Sequence, residues 1–217
     1  MLGGLALTAA AGLALAIVSD SDDDADEGPI TTTSTTLLTG GIDVDAPAGF
    51  LAVPLPSFEF GIAVPDDWQV TRTDADTIAA LEGQPLVNEG FVDSARNAGT
   101  AGAVLYAAGV DDEGRVSDAK VIIYAVAKEL DRAALEQFAA DLVAETPLPD
   151  AEVRSRTING DAAVTIGYRV SGGGVEAAGT QLLRVDGDRI VSVVVTSEDT
   201  TSHDALADAI TGSLVLA

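Results

Sequence analysis

Cysteine is absent from this 217-residue chain. Its absence excludes disulfides, thiol nucleophiles, cysteine-ligated metals and the lipid-modified cysteine that anchors bacterial lipoproteins. Histidine occurs once, at His203. A zinc site would therefore need three carboxylates, and any serine–histidine–aspartate arrangement would have to run through that one imidazole. Basic residues are scarce: 11 Lys and Arg stand against 35 Asp and Glu, giving a formal net charge of −24, and none precedes Arg72. Phosphate binding needs basic density, so nucleic acid is excluded as a partner, as is charge-driven docking on an anionic lipid surface. Aromatics make up 4% of a chain that is 47% hydrophobic, so the core must be Val, Ala, Leu and Ile. A phosphate-cradling Gly-x-x-x-x-Gly-Lys-Ser/Thr loop, a Gly-x-Gly-x-x-Gly turn after a strand and a Gly-x-Ser-x-Gly elbow are all missing. No cofactor and no metal are expected. Carboxylates are too plentiful for a glycosidase-type pair to stand out.

What is present begins with an apolar run, Leu2–Val18, broken only by Thr8. At about 17 residues it reaches the short limit of a bilayer-spanning helix. It reads as an uncleaved membrane anchor or as the core of a signal peptide, with Ala14-Leu15-Ala16 as a small-x-small cleavage site. No Lys or Arg precedes it, although positive charge normally marks the cytoplasmic side. An acidic run, Asp20–Glu27, and the Thr-rich stretch Thr31–Thr36 follow. The aspartates at 22, 24 and 26 suggest a calcium loop, but Glu27 and Thr33 stand where that loop needs Gly and Glu. The expected layout is an anchor or signal peptide over residues 1–18, a disordered acidic and Thr-rich stalk over 19–49, and one folded domain over 50–217.

Within the domain, Phe58–Val64 alternates as a strand does and ends at Pro65-Asp-Asp-Trp68. Asp74–Leu81 suits one to two helical turns capped by Thr73 or Asp74, and Asp93–Ala98 a short helix. Strands are expected at Ala103–Ala108 and Lys120–Lys128, and a helix over Leu130–Ala144 capped by Asp131. Two hairpin signals follow, Asn159-Gly160 and Asp186-Gly187, each between alternating apolar runs. A last helix, Ser202–Leu214, has Ser202 as its expected N-cap. This order predicts an α+β domain: a mostly antiparallel sheet of about six to seven strands packed against helices as an α/β/α sandwich.

Phe60-Gly-Ile-Ala-Val-Pro65 followed by Trp68 resembles the opening of PsbP-like domains. So do the Asn159-Gly160 turn into a strand carrying Tyr168, and an ending strand, helix and Ser213-Leu214. That superfamily includes the extrinsic photosystem II protein, a Ran-binding nuclear import factor and LpqN-type actinobacterial envelope lipoproteins. The resemblance implies an antiparallel sheet between helices and a binding or assembly role rather than catalysis. The lipidated cysteine of the LpqN type is missing here, and Leu2–Val18 could replace it as a tether.

Arg154, Arg156 and Arg169 are candidate partner-binding residues, because cations are few and residues at i and i+2 on a strand share a face. The alternative is a solvent face neutralised by neighbouring acids that blunts a sheet edge. Trp68 is either a binding aromatic or a core plug at one end of the sheet. His203 is either a catalytic base or an exposed first-turn residue. The expected function is an exported, membrane-tethered, non-enzymatic binding or scaffolding domain on the extracytoplasmic side of a bacterial cell membrane, or a secreted one. Its partner would be an envelope protein or a small ligand. The alternatives are a small envelope hydrolase using carboxylates, marked by a carboxyl of raised pKa, and a small-ligand carrier.

Overall fold

A computed structural model describes Ile42–Ala217, apart from residues 83, 85–86, 127–129, 147, 149, 159 and 173. The apolar run and most of the expected stalk lie outside the described residues, among which no helix is long and apolar enough to cross a membrane. The packed chain starts before the expected boundary at Phe50. Val44 is buried, and its methyl fills the space over Gly61, where a Cβ would lie 2.3 Å from Val44 Cγ2.

Two hydrogen-bonded sheets form, both antiparallel throughout. The smaller joins β1 (Phe50–Leu55), β2 (Phe60–Pro65) and β10 (Val215–Leu216) in the order β1-β2-β10. The larger takes β3 (Gln69–Arg72), β4 (Ala103–Val110), β5 (Val116–Ala125), β6 (Glu152–Ile158), β7 (Asp161–Gly172), β8 (Val175–Asp186) and β9 (Arg189–Ser197). Its order is β3-β4-β5-β9-β8-β7-β6. Its seven strands agree with the expected count. The smaller sheet is an addition: Pro54 disguises β1, and proline is tolerated there because β1 is an edge strand.

Four helices complete the domain: α1 (Ala75–Leu81), α2 (Glu89–Thr100), α3 (Arg132–Glu145) and α4 (His203–Gly212). Asp74 caps α1 through Thr77 N (3.1 Å), and Asp131 caps α3 through Ala134 N (2.8 Å). α2 is longer than expected because Asn88 opens it, accepting from Gly90 N at 2.7 Å. Ser202 does not cap α4. Its hydroxyl turns back to donate to Asp199, which also accepts from Thr201 N (3.1 Å).

Strand alternation sends the two sides of the large sheet into different cores. Leu105, Val121, Leu182 and Val193 face α4 and the small sheet, meeting Ile62, Val64, Ile210 and Leu214. Val164, Ile166, Leu183 and Ile190 face α3, which presents Leu135, Ala139 and Leu142. Ala103 and Tyr106 meet Ile78, Val92, Ala95 and Ala98 of α1 and α2 on that same second face. The architecture is α+β in three layers, with one outer layer shared between α4 and a small sheet. β9 is buried along nearly its whole length, as its unbroken apolar run requires.

Candidate functional site

Two of the arginines singled out by scarcity, Arg154 and Arg156, project together, and their neighbours explain them. Arg154 and Arg156 lie opposite Thr165 and Ala163, so both project toward the α4 side. Arg156 pairs with Asp208 of α4 at 3.1 Å, and Arg154 with Glu152 of its own strand. Asp204, one helical turn before Asp208, also helps hold Arg154 charged, after Glu152. Four helical residues rise about 6 Å and two strand residues about 6.7 Å, so carboxylates at i, i+4 match arginines at i, i+2. The pair docks α4 along the sheet edge. Arg169 is exposed on the same face and, among the described residues, forms no ion pair.

Trp68 is 8% exposed and packs in the core beneath the small sheet. Its ring lies across Gly109, where a Cβ would fall 2.2 Å from Trp68 Cδ1. That is the position of a core plug and leaves no face for a partner. His203 is not an exposed first-turn residue: it is 2% exposed, with Nε2 2.9 Å from Thr180 Oγ1. Burial keeps the imidazole toward its neutral form, against the Asp204 charge. Nδ1 has no hydrogen-bond partner among the described residues. The third group that orients a catalytic histidine is therefore missing.

The polar constellation with the most unusual chemistry lies on the opposite face, between α2 and α3. One row across the sheet reads Gln69, Ala108, Asp118, Thr196, Gly179, Tyr168. The next row sets Tyr106 opposite Lys120. Lys120 Nζ lies 3.7 Å from Asp118 Oδ1, and the two side chains are 20% and 15% exposed. Burial pushes the Asp118 carboxyl above its ordinary range, and the Lys120 ammonium only partly offsets this. All three tyrosines of the chain stand on this face. Tyr106 approaches Ser94 of α2 and stacks at 5.4 Å on Phe91. Tyr124 approaches Gln181 and meets Phe138 of α3 edge-on at 5.4 Å. Tyr168 approaches Thr196. Burial, reinforced at Tyr106 and Tyr168 by the Asp118 charge, raises the pKa of all three phenols and keeps them protonated donors.

Glycine makes the last of these contacts possible. A Cβ at Gly179 would fall 2.2 Å from Tyr168 Cε2 and Cζ, so only a bare Cα lets the ring cross β8. Two acceptors in that row, Gln69 Oε1 and Asp118 Oδ1, are buried without a hydrogen-bond partner among the described residues. A ligand that brings O–H or N–H donors would satisfy them. No second carboxylate stands in either row and no hydroxyl is paired with a base. Among the described residues no group of three or more His, Cys, Asp or Glu is placed to hold a metal ion.

Sequence reasoning missed these residues. The signal available was Asp118-x-Lys120 inside a strand whose intervening residues are apolar: two charges on one face of an interior strand.

No family model matches the sequence, and no curated protein matches it. Among solved structures, the chain is similar to the solution structure of cyanobacterial PsbP (CyanoP) from Synechocystis sp. PCC 6803. The identity is 14% and the TM-score 0.49, over 82% of this chain and 99% of that one. It is also similar to the crystal structure of LpqN from Mycobacterium tuberculosis, described as involved in cell envelope biogenesis. There the identity is 14% and the TM-score 0.45, over 87% of this chain and 99% of that one.

Proposed function

We propose that this chain is an exported, membrane-tethered, non-enzymatic binding domain of the bacterial cell envelope, and that it recognises a small neutral polyhydroxylated ligand at Asp118 and Lys120. The observation that carries this reading is Gln69 Oε1, a buried acceptor with no hydrogen-bond partner among the described residues, in the same row as Asp118 of the largely buried Asp118–Lys120 ion pair, with Tyr106 and Tyr168 on the same face. A site with donors, acceptors and aromatic walls but no nucleophile–base pair orients a molecule without breaking it. The apolar run Leu2–Val18 and the acidic spacer behind it support the tether and the extracytoplasmic location. A partner protein that displays sugar-like hydroxyls would use the same groups.

The raised Asp118 carboxyl is the one feature that a carboxylate hydrolase would also need. The test separates the two. The ¹⁵N-labelled full chain in detergent is titrated with glucose and with N-acetylglucosamine. Binding predicts saturable shifts at the amides of Ala108, Asp118, Lys120 and Thr196, lost in Asp118→Asn. No movement there up to the solubility limit of both sugars contradicts the site. Hydrolysis of an envelope glycoside or ester that Asp118→Asn abolishes contradicts the non-enzymatic reading.

A further inference from the structure

We infer that β6 is a self-complementary edge through which two copies of this chain pair antiparallel, joining their seven-stranded sheets across a two-fold axis at Val153. β6 ends the large sheet, and six of its seven residues are exposed. The other end is the four-residue β3, only partly exposed. Val153 is one of four large hydrophobic side chains exposed among the described residues, at 38%.

The backbone phase follows from the hairpin. Ile158 and Asp161 form the pair that closes a two-residue turn, so they exchange main-chain hydrogen bonds. Counting back by twos, Arg156, Arg154 and Glu152 turn their N–H and C=O groups toward β7, and Arg156 O also accepts from Arg132 Nη1 of α3 at 3.2 Å. The approach of Thr165 Oγ1 to Arg154 O (3.4 Å) agrees with that direction. Val153, Ser155 and Thr157 then offer theirs outward. A second copy must bring the same outward-facing residues opposite them.

Charge selects among the registers this allows. Asp150, Glu152, Arg154 and Arg156 follow one another at every second position, two acids and then two bases. Centring the axis on Val153 sets Glu152 opposite Arg154 in both directions at once, whereas Asp150 precedes β6 with a φ of 55° and takes no register position. Centring it on Glu152 or on Arg154 opposes like charges at the axis. Centring it on Ser155 sets Arg154 against Arg156. Among the registers centred on β6 residues Glu152 to Ser155, the Val153 register joins each Arg154 to a carboxylate without opposing like charges, and it sets two valine side chains against each other. Charges on an edge strand commonly forbid pairing. Here they favour the register centred on Val153.

The absence of cysteine makes the test clean. Across the axis the two Val153 Cα atoms would lie about 5.5 Å apart, within disulfide range. Val153→Cys in the full chain, in its native membrane under mild oxidation, is expected to convert most of the protein to a disulfide-linked dimer. Thr157→Cys, four residues from the axis, is expected to form no disulfide-linked dimer. In sedimentation equilibrium of the detergent-solubilised chain, Glu152→Arg is expected to weaken dimerisation about tenfold or more, because two cross-strand pairs turn repulsive together. Adding Arg154→Glu restores it. Equal crosslinking at both positions, no crosslinking at Val153→Cys, or a swapped variant that fails to recover overturns the inference.

Discussion

Replacing Gly179 with alanine is expected to destabilise the domain by about 1–3 kcal/mol. The same replacement at Gly167 is expected to be neutral or stabilising by up to about 1 kcal/mol. Both glycines sit inside neighbouring strands of one sheet. They differ in what a methyl group would meet. At Gly179 it would fall 2.2 Å from two ring carbons of Tyr168 and 2.8 Å from a third, whereas at Gly167 nothing lies within 4 Å. The Tyr168 ring cannot swing aside cheaply, because it is buried against the cluster formed by Leu135, Ala139 and Ile166. Moving it also takes its hydroxyl from Thr196 and opens the row that holds Asp118. Urea denaturation of the two variants beside the parent chain measures the difference. Equal midpoints would mean that Gly179 does not hold the ring in place.

Stability should depend on pH through Asp118, and Asp118→Asn should remove that dependence. Burial holds this carboxyl above its usual range in spite of Lys120. The folded chain therefore binds the proton more tightly than the unfolded chain does. The associated stability is fully present below the unfolded pKa and is lost as pH rises through the folded one. Asparagine keeps the shape and does not titrate. Relative to wild type, the Asn variant is expected to gain stability as pH climbs from below about 4 into the neutral range. Denaturation midpoints at a series of pH values read this directly. A difference that stays flat, or one that grows toward acid, contradicts the burial of a charged Asp118.

Local chemistry explains which parts of this fold could be read in advance. Gly160 and Gly187 adopt the positive φ that hairpin turns demand, +93° and +61°, but the second turn is Gly187-Asp188 rather than Asp186-Gly187, because Asp186 pairs with Arg189, and Asn159 lies outside the described residues. α3 has its cap and its apolar spacing within one segment, so it was legible too. α2 was seen only in part, since Gly90 and Gly99 weaken its propensity and its helix rests on small residues packed under Tyr106. β10 is two residues long and exists only because β2 is there to receive it. The arginines were visible as a group. Their meaning was not, because Asp208 lies 52 residues from Arg156 in sequence. The tyrosines are farther still from legibility. Tyr106, Tyr124 and Tyr168 share a face only through the strand order β4-β5-β9-β8-β7, which no local pattern encodes.

A binding domain held outside the membrane is tested most directly by fractionating cells that express the full chain and measuring the intact mass of what is recovered. The proposed tether predicts the uncleaved chain in the membrane pellet, retained through high salt and alkali. A soluble exported product with a new N-terminus near Ile17–Asp20 would replace the tether with secretion. Recovery from the cytosol with Met1 intact would contradict export and, with it, an envelope role for this domain.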